Sequence, residues 1–329
     1  MAGTAAQDWR TGATPDMLRR RAALLGASRA FFADRGVLEV DTPIVVNAPV
    51  SDVHIHSAHV TFTDGAGRSV QRCYLHTSPE YAMKRLIAAG LGDIYQICHV
   101  VRGLERGRLH NAEFTLIEWY RMGWSLEALI DEVEALTRTL LGPRAAALAS
   151  ERLSYRDAFR QHLGIDPFDA PRERLAAAAH AAGFTGGESA DRDELLELLM
   201  SVRIGPALGR GALTFVHGYP ASQAALARVD PTDPRAAQRF ELYLSGIELA
   251  NGFHELADVR EQRARFEQDQ QARQRRGLEI APLDERLLAA LSAGLPDCSG
   301  VALGFDRLVM LAVDAVRIDE VIPFPIERA

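Results

Sequence analysis

Apolar positions recur at helical spacing through residues 16–35 (DMLRRRAALLGASRAFFADR) and stop at Gly36, a residue suited to ending a helix. An extended stretch, VLEVDTPIV, follows with Pro43 at its edge. Residues 74–75 read as another short strand. Ser78-Pro79-Glu80 then opens a helix, with Ser78 as N-cap and Pro79 in the first helical position. Asp64-Gly65-Ala66-Gly67 reads as a hairpin turn. Residues 94–102 and 112–121 predict two strands around the polar loop GLERGRLHN, and 126–141 an amphipathic helix. The stretch 150–215 is helical with Gly/Pro breaks, an insertion packed on the main sheet. Strands return at 212–218 and 239–256, a charged helix covers roughly 258–276, and GVALG runs straight into a helix from Asp306. Many strands between non-adjacent helices predict an α+β fold, a mainly antiparallel sheet flanked by helices.

Composition narrows the setting. The chain has 329 residues, 47% hydrophobic and 25% charged, enough for one large domain or two. No apolar run approaches the roughly 20 residues of a membrane span, and the N-terminus has no signal pattern. Cys73, Cys98 and Cys298 are widely spaced and odd in number, which suggests reduced thiols in a cytoplasm. A net charge of −7 argues against nucleic acid as the main partner. The basic residues are almost all arginine, with Lys84 the only lysine. That skew reads as compositional bias.

Three segments carry candidate chemistry. On the strand 112–121, Phe114, Leu116, Glu118 and Tyr120 share one face. An aromatic, a carboxylate and a second aromatic suit a site floor; the plain alternative is aromatic packing on a half-buried strand. Arg102, ending the preceding strand, has the fork geometry to clamp a phosphate. In RFELYLSGIELANGFHEL, a turn at Ser245-Gly246 brings Glu241 and Glu248 nearly opposite each other. Unpaired carboxylates repel, so the pair suits Mg²⁺ carrying a nucleotide's phosphates; otherwise both lie on a solvated edge. Asn251, Phe253 and Glu255 form a second face, where Glu255 can meet an ammonium. In GVALGFDRLVML, small residues at 300, 302 and 304 leave a flat strand surface, and Arg307 can stack on a base opposite Phe114. His54, His56 and His59, two of them on one strand face, lack an accompanying cysteine or carboxylate pattern, so they read as ordinary histidines rather than a metal site.

These segments, in this order, resemble motifs 1, 2 and 3 of class II aminoacyl-tRNA synthetases: FFADRGVLEVDTPIV, ICHVVRGLERGRLHNAEFTLIEWY and GVALGFDRLVML. HNAEFTLIEWY and ELANGFHEL resemble the lysyl type. Motif 1 falls within the first part of the chain, and Ala302 stands where lysyl-tRNA synthetases carry glycine. Both features match the lysyl-tRNA synthetase paralogues that attach (R)-β-lysine to elongation factor P. The resemblance implies a single class II catalytic domain over 1–329 with the insertion at about 150–215 and no anticodon-binding domain. It also implies ATP and Mg²⁺ as cofactors, a cytoplasmic homodimer, and elongation factor P rather than tRNA as acceptor.

Carried over residue by residue, Arg102 and Arg307 are the catalytic cations. Ser78, Pro79, Glu80, Tyr120, Asn251 and Glu255 bind the amino acid, with Glu80 on the backbone-side amine and Glu255 on the ε-ammonium. Arg102, Gly103, Leu104, His110, Asn111, Phe114, Glu248, Leu249, Gly304 and Arg307 bind ATP, with Phe114 and Arg307 around the adenine. Glu241 and Glu248 hold the metal. Leu104 departs from the family, which carries glutamate two residues after the motif 2 arginine. Two other functions share these residues: a stand-alone synthetase fragment that charges tRNA, and a non-catalytic regulatory paralogue.

Overall fold

The computed structural model describes residues 9–103, 105–185 and 190–329. Two sheets organise the chain: an eight-stranded sheet in the order β1-β5-β6-β11-β10-β9-β8-β7 and a three-stranded one, β2-β4-β3. In chain order the elements are α1 (Pro15–Ala33), β1 (Leu38–Glu39), β2 (Val45–Val46), β3 (His59–Thr63), β4 (Ser69–Leu75), α2 (Glu80–Ala88), β5 (Ile94–Val101), β6 (Glu113–Met122) and α3 (Leu126–Leu141). Then come β7 (Ala149–Ser154), α4 (Tyr155–Leu163), α5 (Arg172–Ala181), α6 (Arg192–Leu199), β8 (Ala212–Pro220), β9 (Ala236–Leu244) and β10 (Ile247–His254). The chain finishes with α7 (Val259–Arg275), α8 (Glu285–Gly294), β11 (Cys298–Gly304) and α9 (Phe305–Val313). The large sheet is mixed: β1 and β7 run parallel to their neighbours, and the other pairings are antiparallel.

Strand alternation gives the large sheet two unlike faces. Ile117, Trp119, Leu213, Phe215, Phe240, Leu242, Val301 and Leu303 point to one side and are buried against α1, α3 and α9. Removing that apolar area from water, at roughly 25 cal/mol per Å², is the main term holding the helical layer to the sheet. On the other side, α2, α7 and α8 cover one end of the sheet through Tyr81, Met83, Ile87, Phe266, Leu287 and Leu291. The rest of that face carries the polar residues.

Several sequence expectations need correction. The helix after Ser78-Pro79 starts at Glu80, with Pro79 at the cap position and no side-chain cap bond; Ser78 Oγ accepts from the Glu80 N–H (3.0 Å) and is free to donate elsewhere. The stretch 150–215 is not purely helical. Its two ends, β7 and β8, pair in parallel at the sheet edge, and α4, α5 and α6 fill the crossover around a separate cluster of Phe159, Leu175, Leu195 and Leu199. No strand spans His54 and His56; only His59 lies in one, on β3. His54 pairs with Glu197 (3.2 Å) and His59 with Glu279 (2.9 Å).

One buried ion pair ties the first helix to the last. Arg21 of α1 bonds the Asp306 carboxylate, its second nitrogen donates to Thr115 Oγ (2.8 Å), and Asp306 accepts from the Thr115 N–H (2.7 Å). All of this is sealed, and the guanidinium also lies 4.9 Å from the Phe305 ring. Breaking one side of such a pair leaves an uncompensated buried charge. Asp306→Asn is therefore expected to lose about 3–5 kcal/mol in urea unfolding; a loss below about 1 kcal/mol would contradict the burial of Arg21.

Candidate active site

Register alone assembles a polar line across the open face. Gln96 on β5 pairs with Glu118 on β6, Glu118 with Ala302 on β11, Ala302 with Asn251 on β10, and Asn251 with Glu241 on β9. A second line, one pleat along, runs Tyr120, Gly300, Phe253, Arg239. Gly300 is demanded by close approach: a Cβ there would come within 2.3 Å of the Tyr120 ring and 2.5 Å of Glu255 Oε1. At Gly304 a Cβ would meet nothing closer than 3.7 Å, so that glycine leaves open surface instead.

The buried end of the face gathers Glu80, Glu118 and Glu255. Glu118 takes hydroxyl donors from Ser78 (2.7 Å) and Tyr120 (2.8 Å), and among the described residues no cation pairs with it. Burial, with the Glu80 charge nearby, pushes its carboxyl up to about 8. Between Glu80 and Glu255 lies Lys84. Its ammonium donates to Glu80 Oε1 (2.6 Å) and forms an ion pair with Glu255 Oε2 at 2.6 Å. Burial opposes the Lys84 charge, but the Glu255 and Glu80 carboxylates outweigh it and hold the ammonium protonated. Burial raises the Glu255 carboxyl to about 7 despite the Lys84 ammonium. Gln96, beside Glu118, is buried with neither amide atom hydrogen-bonded.

At the other end, Glu241 and Glu248 are not directly opposite. The turn sets Glu248 against Tyr243, and a bulge at Leu249 then sets Asn251 against Glu241, so the two carboxylates sit diagonally on one face. Glu241 accepts from Arg239, Tyr219 (2.6 Å) and Tyr243. Glu248 is half-exposed, with burial and the Glu241 charge raising its carboxyl. Arg307 donates to the Glu248 backbone oxygen (2.9 Å), pairs with His110 Nε2 (2.6 Å) and lies 3.9 Å from the Glu248 carboxylate. Burial and the Arg307 charge keep His110 below its ordinary range. Arg102 lies 5.1 Å over the Phe114 ring, and the Gly103 N–H donates to His56 O (2.7 Å). Asn111 is buried, its amide bonded to Glu113 O and the Ile326 N–H, so it braces the loop. Leu249 faces the core, and Leu104 lies outside the described residues.

The structure thus brings together the expected acidic, arginine and aromatic groups on one face. It adds Lys84, Gln96 and Arg239, which the sequence reading did not place there. Lys84 had a signal, its i,i+4 spacing from Glu80; Gln96 becomes visible only once β5 and β6 are in register. A cavity of about 630 Å³ borders Ser78 and Pro79 but is lined by none of Glu118, Glu241, Glu248 or Arg307, so it is separate from this face.

The family model for class II tRNA synthetases (D, K and N) matches residues 4–328. The elongation factor P–(R)-β-lysine ligase of Salmonella arizonae is 49% identical over 323 residues, 98% of each chain. That of Klebsiella pneumoniae strain 342 is 49% identical over 324 residues, again 98% of each chain. The chain belongs to the class II tRNA synthetase family, among the elongation factor P–(R)-β-lysine ligases. The mixed sheet flanked by helices is this family's catalytic fold.

Raised carboxyls at the site make stability depend on pH. A folded Glu118 that titrates near 8 holds a proton which the unfolded chain has released, so its contribution falls as pH rises from about 5 to 8. Glu118→Gln removes that term and keeps an acceptor for the hydroxyls. Thermal melts are expected to show Glu118→Gln gaining on the parent chain as pH rises through this window; parallel curves would contradict it.

Proposed function

We propose that the chain is an ATP-dependent protein-lysine ligase, activating (R)-β-lysine as an adenylate and transferring it to a lysine of elongation factor P. The observation that carries this reading is the line Glu118–Ala302–Asn251 with Glu80 and Glu255 beside it: carboxylates for two ammonium groups and a methyl where the strand face would otherwise be bare. Relatives bearing that ligase name over nearly the full chain support it.

The chemistry needs no protein nucleophile. The substrate carboxylate attacks the α-phosphorus of ATP, the bond to the β-phosphate oxygen breaks, and diphosphate leaves. The acceptor amine then attacks the adenylate carbonyl, expelling AMP and releasing its proton. Arg102 and Arg307 meet the negative charge that develops on phosphorus, and fixed alignment supplies much of the rate. Phe114 and Arg307 bracket the base, Gly103, Gly304 and the Leu249 carbonyl offer close backbone approach, and His110 fixes the polyphosphate. Ser78, Glu80, Tyr120, Asn251 and Glu255 orient the amino acid.

Mg²⁺ fits the acidic pair. Glu248 is open, and Glu241, with donors from Arg239, Tyr219 and Tyr243, keeps one of its roughly four lone-pair positions. All donors are oxygens, as that ion requires. When bound there, the ion would supply charge neutralisation for the phosphates. Half-exposed apolar Leu38 and Ile44 in the motif 1 segment support a homodimer. Free thiols at Cys73, Cys98 and Cys298 support a cytoplasmic setting, and among the described residues no helix is long and apolar enough to cross a membrane.

The test is ATP–diphosphate exchange with (R)-β-lysine, followed by intact-mass measurement of unmodified elongation factor P incubated with chain, ATP and amino acid. Exchange and a mass gain of one lysyl unit are expected. Neither event with β- or α-lysine would remove the reading. Arg102→Ala should fold normally and lower kcat for exchange by about 10²–10³-fold.

A further inference from the structure

Lys84 is nearly inaccessible, 1% exposed, in a chain that uses arginine at every other cationic side chain except histidine. It stands one helical turn after Glu80 on α2 and reaches across to Glu255, just past the end of β10. The groups around it come from several elements: Glu80 and Tyr81 on α2, Glu118 and Tyr120 on β6, Glu255, and Cys298 on β11. Among these, only Lys84 is cationic. An ammonium is a compact point charge that can face two carboxylates at once, where a planar guanidinium needs more room and a fixed plane.

The Lys84 ammonium is the partner of the buried Glu255 Oε2, at 2.6 Å. Beside the ion pairs, binding capacity is left on Gln96. Gln96 adds two unpaired amide atoms next to Glu118. Buried polar atoms of this kind ordinarily have partners, so they point to a polar ligand that completes them.

We propose that Lys84 is a positioning residue: its ammonium spans Glu80 and Glu255 and cancels one of three carboxylate charges, matching the pocket to an amino acid with two ammonium groups. This rests on the ligase reading above and says how the same pocket selects a diamino acid over one with a single amine. Without the ammonium, Glu80 and Glu255 repel, and the Glu255 carboxyl, already raised by its burial, holds a proton that the substrate must displace. Amino-acid affinity then falls, most at acidic pH, while the nucleotide end is untouched.

Lys84→Met separates this from a scaffold role. Exchange kinetics are expected to show KM for (R)-β-lysine raised about tenfold or more, with KM for ATP within about twofold. The KM increase should be larger at pH 6.5 than at pH 8.5, on either side of the range in which buried carboxylates here titrate, about 7 to 8. A scaffold role lowers the melting temperature and leaves this split absent. Should Lys84→Met fail to fold, the unaltered protein decides. Grown on lysine labelled with ¹⁵N at the ε-position, it gives one side-chain signal, from its only lysine. That signal should stay protonated through pH 9 and shift on adding (R)-β-lysine but not ATP alone. An unmoved amino-acid KM in folded Lys84→Met, or a signal blind to the amino acid, overturns the proposal. Absence of exchange by the unaltered protein with either lysine isomer instead removes the ligase reading on which it stands.

Discussion

Peptide hydrogen bonds between β5, β6, β11, β10 and β9 set the register on which everything else depends. One line of pairing carries Gln96, Glu118, Ala302, Asn251 and Glu241 to a single face. A slip of one residue in any of these strands would send its polar group into the core and bring a core residue out. The other face resists such a slip. Trp119, Val301, Leu303, Phe240 and Leu242 are locked beneath α1, α3 and α9, and Gly252 is packed so closely on Phe240 that a Cβ would come within 2.5 Å of its ring. The apolar layer therefore fixes the chemistry of the polar one. Arg21 extends this fixing to α9 through Asp306, the neighbour of Arg307.

Much of this was legible beforehand. Period-two alternation on β6 showed which of its residues share a face, and the small residues of β11 marked where a flat surface would lie. The limits of α3 agree with its apolar period. What escaped depended on contacts between distant segments. The bulge at Leu249 brings Asn251 rather than Ala250 opposite Glu241, and no local pattern in GIELANG announces it. Asn111 looked like a ligand-facing amide but is drawn into bracing the loop by Ile326, far along the chain. The helix α8 went unread, as did the parallel pairing of β7 with β8, which arises only because α4, α5 and α6 fold back as a crossover. Lys84 was visible as the only lysine, yet composition offered a sufficient account of it. Its meaning appears only when Glu255 arrives from 171 positions away, the interval between 84 and 255.

Acidic groups at the two ends of the face are treated differently, and the contrast follows from what surrounds them. Glu241 accepts from an arginine and two tyrosines, so its orientation is fixed. Glu118 has only hydroxyl donors and so leans towards the protonated state until a cation arrives. One end is thus held by fixed donors, and the other carries a raised carboxyl that hydroxyls alone meet.

The burial of Lys84 has one more consequence, which concerns the surface rather than the pocket. An acyl adenylate reacts with whatever neutral amine it meets. Arginine side chains stay protonated and do not compete as nucleophiles. With its single lysine ion-paired and sealed, this chain presents no side-chain amine to the intermediate it is proposed to make. An enzyme that acylates lysines would in this way be protected from labelling its own side chains, and an adenylate that escapes would find its target only on another molecule.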